Sequence, residues 1–180
     1  MKVESLTYEA VRVRAVFVPL KRKVVSRVGF FDRWPLILID LHTKEGIVGT
    51  SYLEPYLHTS PRYIMPAISD IVEARRGKPL APMAHFQPGR KSLNLIGYES
   101  VAMIANAGIA MAAWDALAKA ADAPLAVLLG GTVGSVPAYN SNGLWLTDPG
   151  SLHDEAAELA AEGGFDAFKL RLGRDKLADD

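Results

Sequence analysis

The sequence predicts an α+β domain, a three-stranded antiparallel meander plus helices, followed by the start of an α/β domain. Three observations carry this. Strand-like runs separated by turn residues crowd the chain before Pro55. One long, Ala-rich apolar helix spans Val101 to Ala121. A strand–helix–strand order then follows Gly131.

Leu6 to Val18 alternates, with Val11, Val13, Ala15 and Phe17 on one face and Arg12 and Arg14 on the other, as in a half-buried strand. Pro19 is expected to end it, and Lys21 to Trp34 reads as a loop with many apolar residues. Leu36 to His42 is a second strand, apolar enough to be buried on both faces. Thr43-Lys44-Glu45-Gly46 turns the chain into a third, Ile47 to Leu53. Ser60 as N-cap and Pro61 at the first helical position open a helix to about Arg75. Pro82 to Leu95 is a weaker helical segment, broken at Pro88-Gly89.

Val101 to Ala121 is Val, Ala, Ile, Met, Leu and Trp interrupted only by Gly108, Asn106, Asp115 and Lys119, so the helix should be buried on several sides. Trp114 is expected to fill the core. Asp122 and Pro124 stop the helix. Leu125 to Leu129 forms a short apolar plug ended by Gly130 and Gly131. Beyond it, Val136 to Asn140 and Phe165 to Leu172 read as strands flanking a helix from Gly150 to Glu162, a βα unit with a parallel return. The domains are therefore 1–131 and 132–180.

Twenty basic and twenty acidic residues give zero net charge, which argues against nucleic-acid and anionic-membrane partners. The absence of cysteine removes disulfides, thiolate nucleophiles and Cys-type metal sites. With no signal-peptide pattern at the N-terminus, it points to the cytoplasm. His42, His58, His85 and His153 show no metal-ligand spacing and are expected at the surface or in turns. Gly130 to Ser135 lacks the lysine and the spacing of a phosphate loop.

The run NAGIAMAAWDALAKAADAPLAVLLGG resembles the signature helix of the mandelate racemase/muconate lactonizing enzyme family, part of the enolase superfamily. The matching elements are the small-residue run, Trp114-Asp115-Ala116-Leu117, Lys119, Pro124-Leu125 and Leu128-Leu129-Gly130. One departure is Ala110, where the family usually carries an acidic residue. The order of elements matches over essentially the whole chain. The resemblance implies that 1–131 is a capping domain and that 132–180 supplies the first two β/α units of a (β/α) barrel.

Family members place a Lys-x-Lys on the second barrel strand; here the residues are Lys169-Leu170-Arg171, ahead of Gly173. Residues two apart on a strand share a face. The resemblance turns Lys169 and Arg171 into the barrel as catalytic residues, near the end where barrel active sites lie. Taken without it, the same run suits an edge strand with two solvated charges.

The implied chemistry is abstraction of the proton α to a carboxylate, with Mg²⁺ stabilising the enediolate. Arginine stays protonated, so Arg171 is an electrostatic or hydrogen-bonding group and not the base. That disfavours a two-base racemisation and suits a one-base, sugar-acid dehydratase type of lyase. A racemase or cycloisomerase of the same family, or a non-catalytic binding or assembly module, are the alternatives.

Matching also proposes Tyr56, Ser141, Asn142, Val24 and Val28 as substrate-binding, with Phe30 in the same lid loop and Trp145 at the mouth. Ser-Asn-Gly at 141–143 is equally an ordinary turn. The family's metal ligands lie on later barrel strands, and Asp179 and Asp180 do not match them, so no metal ligand is assigned here. The expected partners are a small carboxylate or sugar acid, the remainder of the barrel on another segment or chain, and a second copy in a homo-oligomer.

Overall fold

The computed structural model describes residues 5–95, 97–176 and 178; Asp179 and Asp180 lie outside them. A three-stranded sheet has the order β1-β2-β3, from β1 (Tyr8–Ser26), β2 (Gly29–Thr43) and β3 (Val48–Leu53). β2 and β3 pair antiparallel, Ile37 opposite Leu53 and His42 opposite Val48, as the meander requires. Among the described residues five helices follow: α1 (Pro61–Glu73), α2 (Pro82–Ser92), α3 (Val101–Ala120), α4 (Leu125–Leu128) and α5 (Leu152–Glu162), the last entered through a 3₁₀ turn at Pro149–Ser151. The chain divides into two compact units. One comprises the described residues of Met1–Phe17 and Pro35–Val133, the other those of Val18–Trp34 and Gly134–Asp180.

Several elements differ from the sequence reading. β1 does not stop at Pro19, and the expected loop over Lys21–Trp34 is a hairpin arm turning at Arg27-Val28. β1 is an outer strand, and such a strand tolerates a proline whose missing N–H faces away from its partner. Gly29, at φ +154°, opens the returning strand. β2 is buried on one face only: Ile37, Ile39 and Leu41 are covered, while Leu36, Leu38 and Asp40 are half-exposed. On that second face Arg14 of β1 pairs with Asp40 at 2.7 Å.

In the first unit, Ile37, Ile39 and Leu41 meet Ile64, Ile68 and Val72 of α1 and the small face of α3. Ser60 precedes α1 as expected, but its backbone carbonyl, not its hydroxyl, accepts from Tyr63 and Ile64. α3 has the length and hydropathy of a membrane span, yet half of that stretch is buried here in protein. The side chains it buries are small: Ala105, Ala112, Ala113 and Ala116, with Gly108 and Ile109. Trp114 is only half-buried and is not the core residue expected, because close backbone approach leaves no room for a large side chain. The apolar plug of α4 is exposed at Leu125, Val127 and Leu129.

Asp115 and Lys119 have a structural task within this unit. Asp115 accepts from the Thr50 backbone N–H at 2.7 Å and from Lys119, while Lys119 donates to the Val48 carbonyl at 2.9 Å. These backbone groups lie on one edge of β3, so α3 covers an edge that would otherwise template further strands. Burial pushes the Asp115 carboxyl up, but the bonds from Lys119 and Thr50 outweigh it and hold it below the usual range.

α2 runs through Pro88-Gly89 instead of breaking there. Arg75, 9% exposed, reaches into α2 and donates to the His85 carbonyl and to Asn106 Oδ1, both at 3.1 Å. Gly89 passes this crossing without displacing a neighbour, whereas an added Cβ would sit 2.3 Å from Arg75 Nη2 and 2.8 Å from Asn106 Oδ1. His85 is correspondingly not a surface residue of the expected kind: its ring packs against Tyr8 at 5.6 Å and its Nδ1 is buried.

In the second unit the two expected strands, 136–140 and 165–172, are not formed as strands. One parallel bridge joins Asn140 to Phe168, through Asn140 N–H to Ala167 O (2.8 Å) and Lys169 N–H to Asn140 O (3.0 Å). Among the described residues no further strand flanks this pair, and two lone parallel segments make a weak ladder. The parallel direction is as expected. Among the described residues of this unit the buried apolar side chains are Val24 and Phe31 of the arm, with Leu144 and Leu159.

Candidate functional site

The bridge at Asn140 brings the residues after it beside the segment 167–173. Asn142 donates its backbone N–H to Asn140 Oδ1 at 2.9 Å, an Asx turn that bends the chain just after Ser141. Gly143 follows where a Cβ would lie 2.9 Å from Leu159 Cδ1, so only glycine passes without displacement. Leu144, at φ +53°, holds a conformation uncommon for a bulky residue, and its carbonyl accepts from the Arg171 backbone N–H at 3.0 Å.

That bond fixes where Arg171 projects. Its Nη2 donates to Ser141 Oγ at 2.9 Å, and its guanidinium lies 4.3 Å from the centroid of the Trp145 ring. A stacked, hydrogen-bonded guanidinium keeps further N–H donors in a planar fork, which suits a carboxylate. Three of the residues singled out from the sequence, Ser141, Trp145 and Arg171, thus meet. Lys169 is exposed, two residues away on the same segment, and its backbone joins the bridge. Asn142 is exposed beside Ser141. Trp145 Nε1 is a buried donor that finds no acceptor among the described residues.

The hairpin arm holds the other candidates of this unit. Val24 is buried, whereas Val28 at the turn is 73% exposed and Phe30 60%. Lys23 lies over the Phe30 ring at 5.4 Å. The Val25 carbonyl accepts from the Leu146 N–H at 3.0 Å, so the arm is bonded to the segment that carries Trp145.

The sequence reading missed what anchors the arm. Arg22 donates to both carboxylate oxygens of Glu162, at 2.9 and 3.2 Å, and Lys21 bonds the same group. Arg22 and then Lys21 hold the Glu162 carboxyl down at about 2, against its ordinary 4.5. A depressed carboxyl contributes stability that is complete above about 4.5 and is lost as the pH falls through about 2. The Glu162 carboxyl carbon, followed by NMR, should titrate near 2 and move back toward 4.5 in Arg22→Gln. An unchanged midpoint in that variant would remove the anchor. An arginine and a glutamate 140 residues apart leave no local signal of their pairing.

Tyr56 belongs to the first unit. It follows β3, is 60% exposed, and has φ +59°, a left-handed conformation that a tyrosine adopts only under constraint.

Among the described residues no group of three His, Cys, Asp or Glu side chains could hold a metal ion. The side chains gathered at 141–171 are a guanidinium, a hydroxyl and an indole, and Lys169 adds a second cation two residues along the same segment. Such a set attracts anions and repels a hydrated dication, so it does not fit Mg²⁺.

The N-terminal domain description of the mandelate racemase / muconate lactonizing enzyme family matches residues 9–130. The chain belongs to this family. Among curated members, a chloromuconate cycloisomerase of Cupriavidus pinatubonensis is 34% identical over 173 residues, 92% of this chain and 44% of that protein. An L-talarate/galactarate dehydratase of Salmonella typhimurium is 35% identical over 85 residues, 47% of this chain and 21% of that protein.

Among solved structures, an enolase from alpha proteobacterium bal199 with bound Mg superposes with TM-score 0.91 at 49% identity, covering 97% of this chain and 49% of that one. An enolase from Bradyrhizobium complexed with magnesium and mandelic acid gives 0.86 at 32% identity, covering 99% and 49%. The Salmonella dehydratase liganded with Mg and L-lyxarohydroxamate gives 0.81 at 25%, covering 98% and 47%. The chain spans about half the length of these superfamily members. The sheet and helices of the first unit correspond to the family's N-terminal capping domain, and the barrel is represented only in part.

Proposed function

We propose that this chain forms the N-terminal half of an enolase-superfamily enzyme that removes the proton α to a carboxylate, and that the reaction is dehydration of a sugar acid. The observation that carries the reading is the Arg171 guanidinium, seated on Trp145 and hydrogen-bonded to Ser141 beside Lys169. Arg171 would take the substrate carboxylate through paired N–H bonds, and Lys169 would keep the surrounding field positive as charge builds on the carboxylate oxygens. Neither residue is assigned the proton acceptor; arginine cannot release its proton, and the acceptor would come from the rest of the barrel. Loss of hydroxide from the β-carbon, with a proton supplied to it, then gives an enol that tautomerises to a 2-keto-3-deoxy acid plus water. Any magnesium would be held by carboxylates outside the described residues.

The test is a panel of acid sugars offered to the protein together with its complete barrel, in magnesium buffer, scored for 2-keto-3-deoxy acid. Turnover should fall about 10²-fold in Arg171→Ala, with partial recovery in Arg171→Lys. No product and no exchange of the α-proton with solvent deuterium for any acid would overturn the reading. A second reading, cycloisomerisation, is favoured by the 34% identity to the chloromuconate cycloisomerase across nearly the whole chain. Lactone formation from a muconate without dehydration of any sugar acid would select it.

A further inference from the structure

The first unit contains a second cationic place, unrelated to the residues above. Where α1 ends against α2, a cleft of about 160 Å³ is lined by Arg75, Lys78 and His85, with Ile71, Ala74 and Pro88 among its walls and no acidic side chain. Arg75 is a buried residue, 9% exposed, and its charge faces only neutral groups: the His85 carbonyl, the Asn106 amide oxygen and the Tyr8 ring, whose centroid is 5.9 Å away. Of the carboxylates of α1, Glu73 pairs with Arg76 at 2.6 Å and Asp70 is exposed. Among the described residues no carboxylate comes within ion-pair distance of Arg75, Lys78 or His85. A buried guanidinium without a counter-charge is costly, and burial of the charge is relieved most directly by an anion. His85 adds a buried Nδ1 that has no hydrogen-bond partner among the described residues.

We infer that this cleft binds a small oxyanion, a carboxylate or a phosphate, held between Arg75, Lys78 and His85. Its volume admits such an ion. The cation that anchors the ion is itself rigid, tied to α2 and α3 by the bonds to His85 and Asn106. Lys78, which now donates to the Ala74 carbonyl at 2.8 Å at the end of α1, is exposed and can swing its ammonium to the ion. His85 is held below its ordinary range by burial first and then by the charges of Arg75 and Lys78, so a bound anion would push it back up.

The experiment uses the full chain, with inorganic phosphate and acetate as probes and sodium chloride of equal ionic strength as the control. Tm should rise saturably, by about 5 °C when the anion is in hundredfold excess over its Kd, and the His85 ring resonances should shift along the same isotherm. A response to phosphate alone assigns a phosphate, and a response to acetate alone assigns a carboxylate. Arg75→Met should abolish the response, but it also removes the donor to His85 and Asn106. Lys78→Gln, an exposed change, therefore carries the test, with binding weakened about tenfold and Tm in chloride unchanged. No saturable shift with either anion, or a shift as large in chloride or in Lys78→Gln, would overturn the inference.

Discussion

Gly49→Ala should lower the stability of the chain by about 3 kcal/mol, seen as an earlier urea midpoint at unchanged slope. An added Cβ would lie 2.0 Å from the Ala112 carbonyl oxygen and 2.9 Å from Ala116 Cβ. The nearest obstacle is helix backbone, which cannot rotate away as a long side chain can. α3 would have to lift off β3, opening the packing of Ile39 and Leu53 on the same face. Gly134→Ala is the control, since nothing lies within 4 Å of its added Cβ and its φ is ordinary. Equal losses in the two variants would mean that the helix is not seated on the strand in this way. Gly108, on the other side of the contact, is more forgiving: the closest atom to its added Cβ, at 2.6 Å, is the tip of Ile39.

Asn106→Leu should cost a comparable amount, about 3 kcal/mol, for a different reason. Asn106 is 1% exposed, accepts from Arg75 at 3.1 Å, and donates from Nδ2 to the Phe86 carbonyl at 3.5 Å. Leucine has nearly its shape but neither polar atom, so the Arg75 guanidinium would lose the acceptor on its buried side. Combining the change with Arg75→Met should cost less than the sum of the two, because the second substitution removes the charge that the first leaves unpaired. Strict additivity in that cycle, measured by urea unfolding, would show that the two side chains do not act together.

The parts of the fold legible in the sequence were those written in local periodicity and turn chemistry. The meander from Leu6 to Leu53, α1 and α3 all announced themselves this way. The hairpin arm did not, because Pro19 and the charged run Lys21–Lys23 imitate a loop unless the strand is known to be an outer one. Pro88-Gly89 likewise reads as a break until Arg75 and Asn106 are seen crossing it. At the candidate site, Ser141, Trp145 and Arg171 were each named from the chain, and the structure joins them through one guanidinium. What could not be read was the pairing of distant charges, Arg22 with Glu162 and Arg75 with Asn106, since nothing near either residue encodes its partner.

The alanines of α3 and its one glycine, Gly108, carry a further meaning. They mark where two stretches of main chain nearly touch, so they constrain size and are indifferent to reactivity. If the function proposed above holds, a change of substrate would fall on the tip of the arm and the turn at Ser141 and would ask nothing of this seam. The most recognisable words in the sequence describe a gasket.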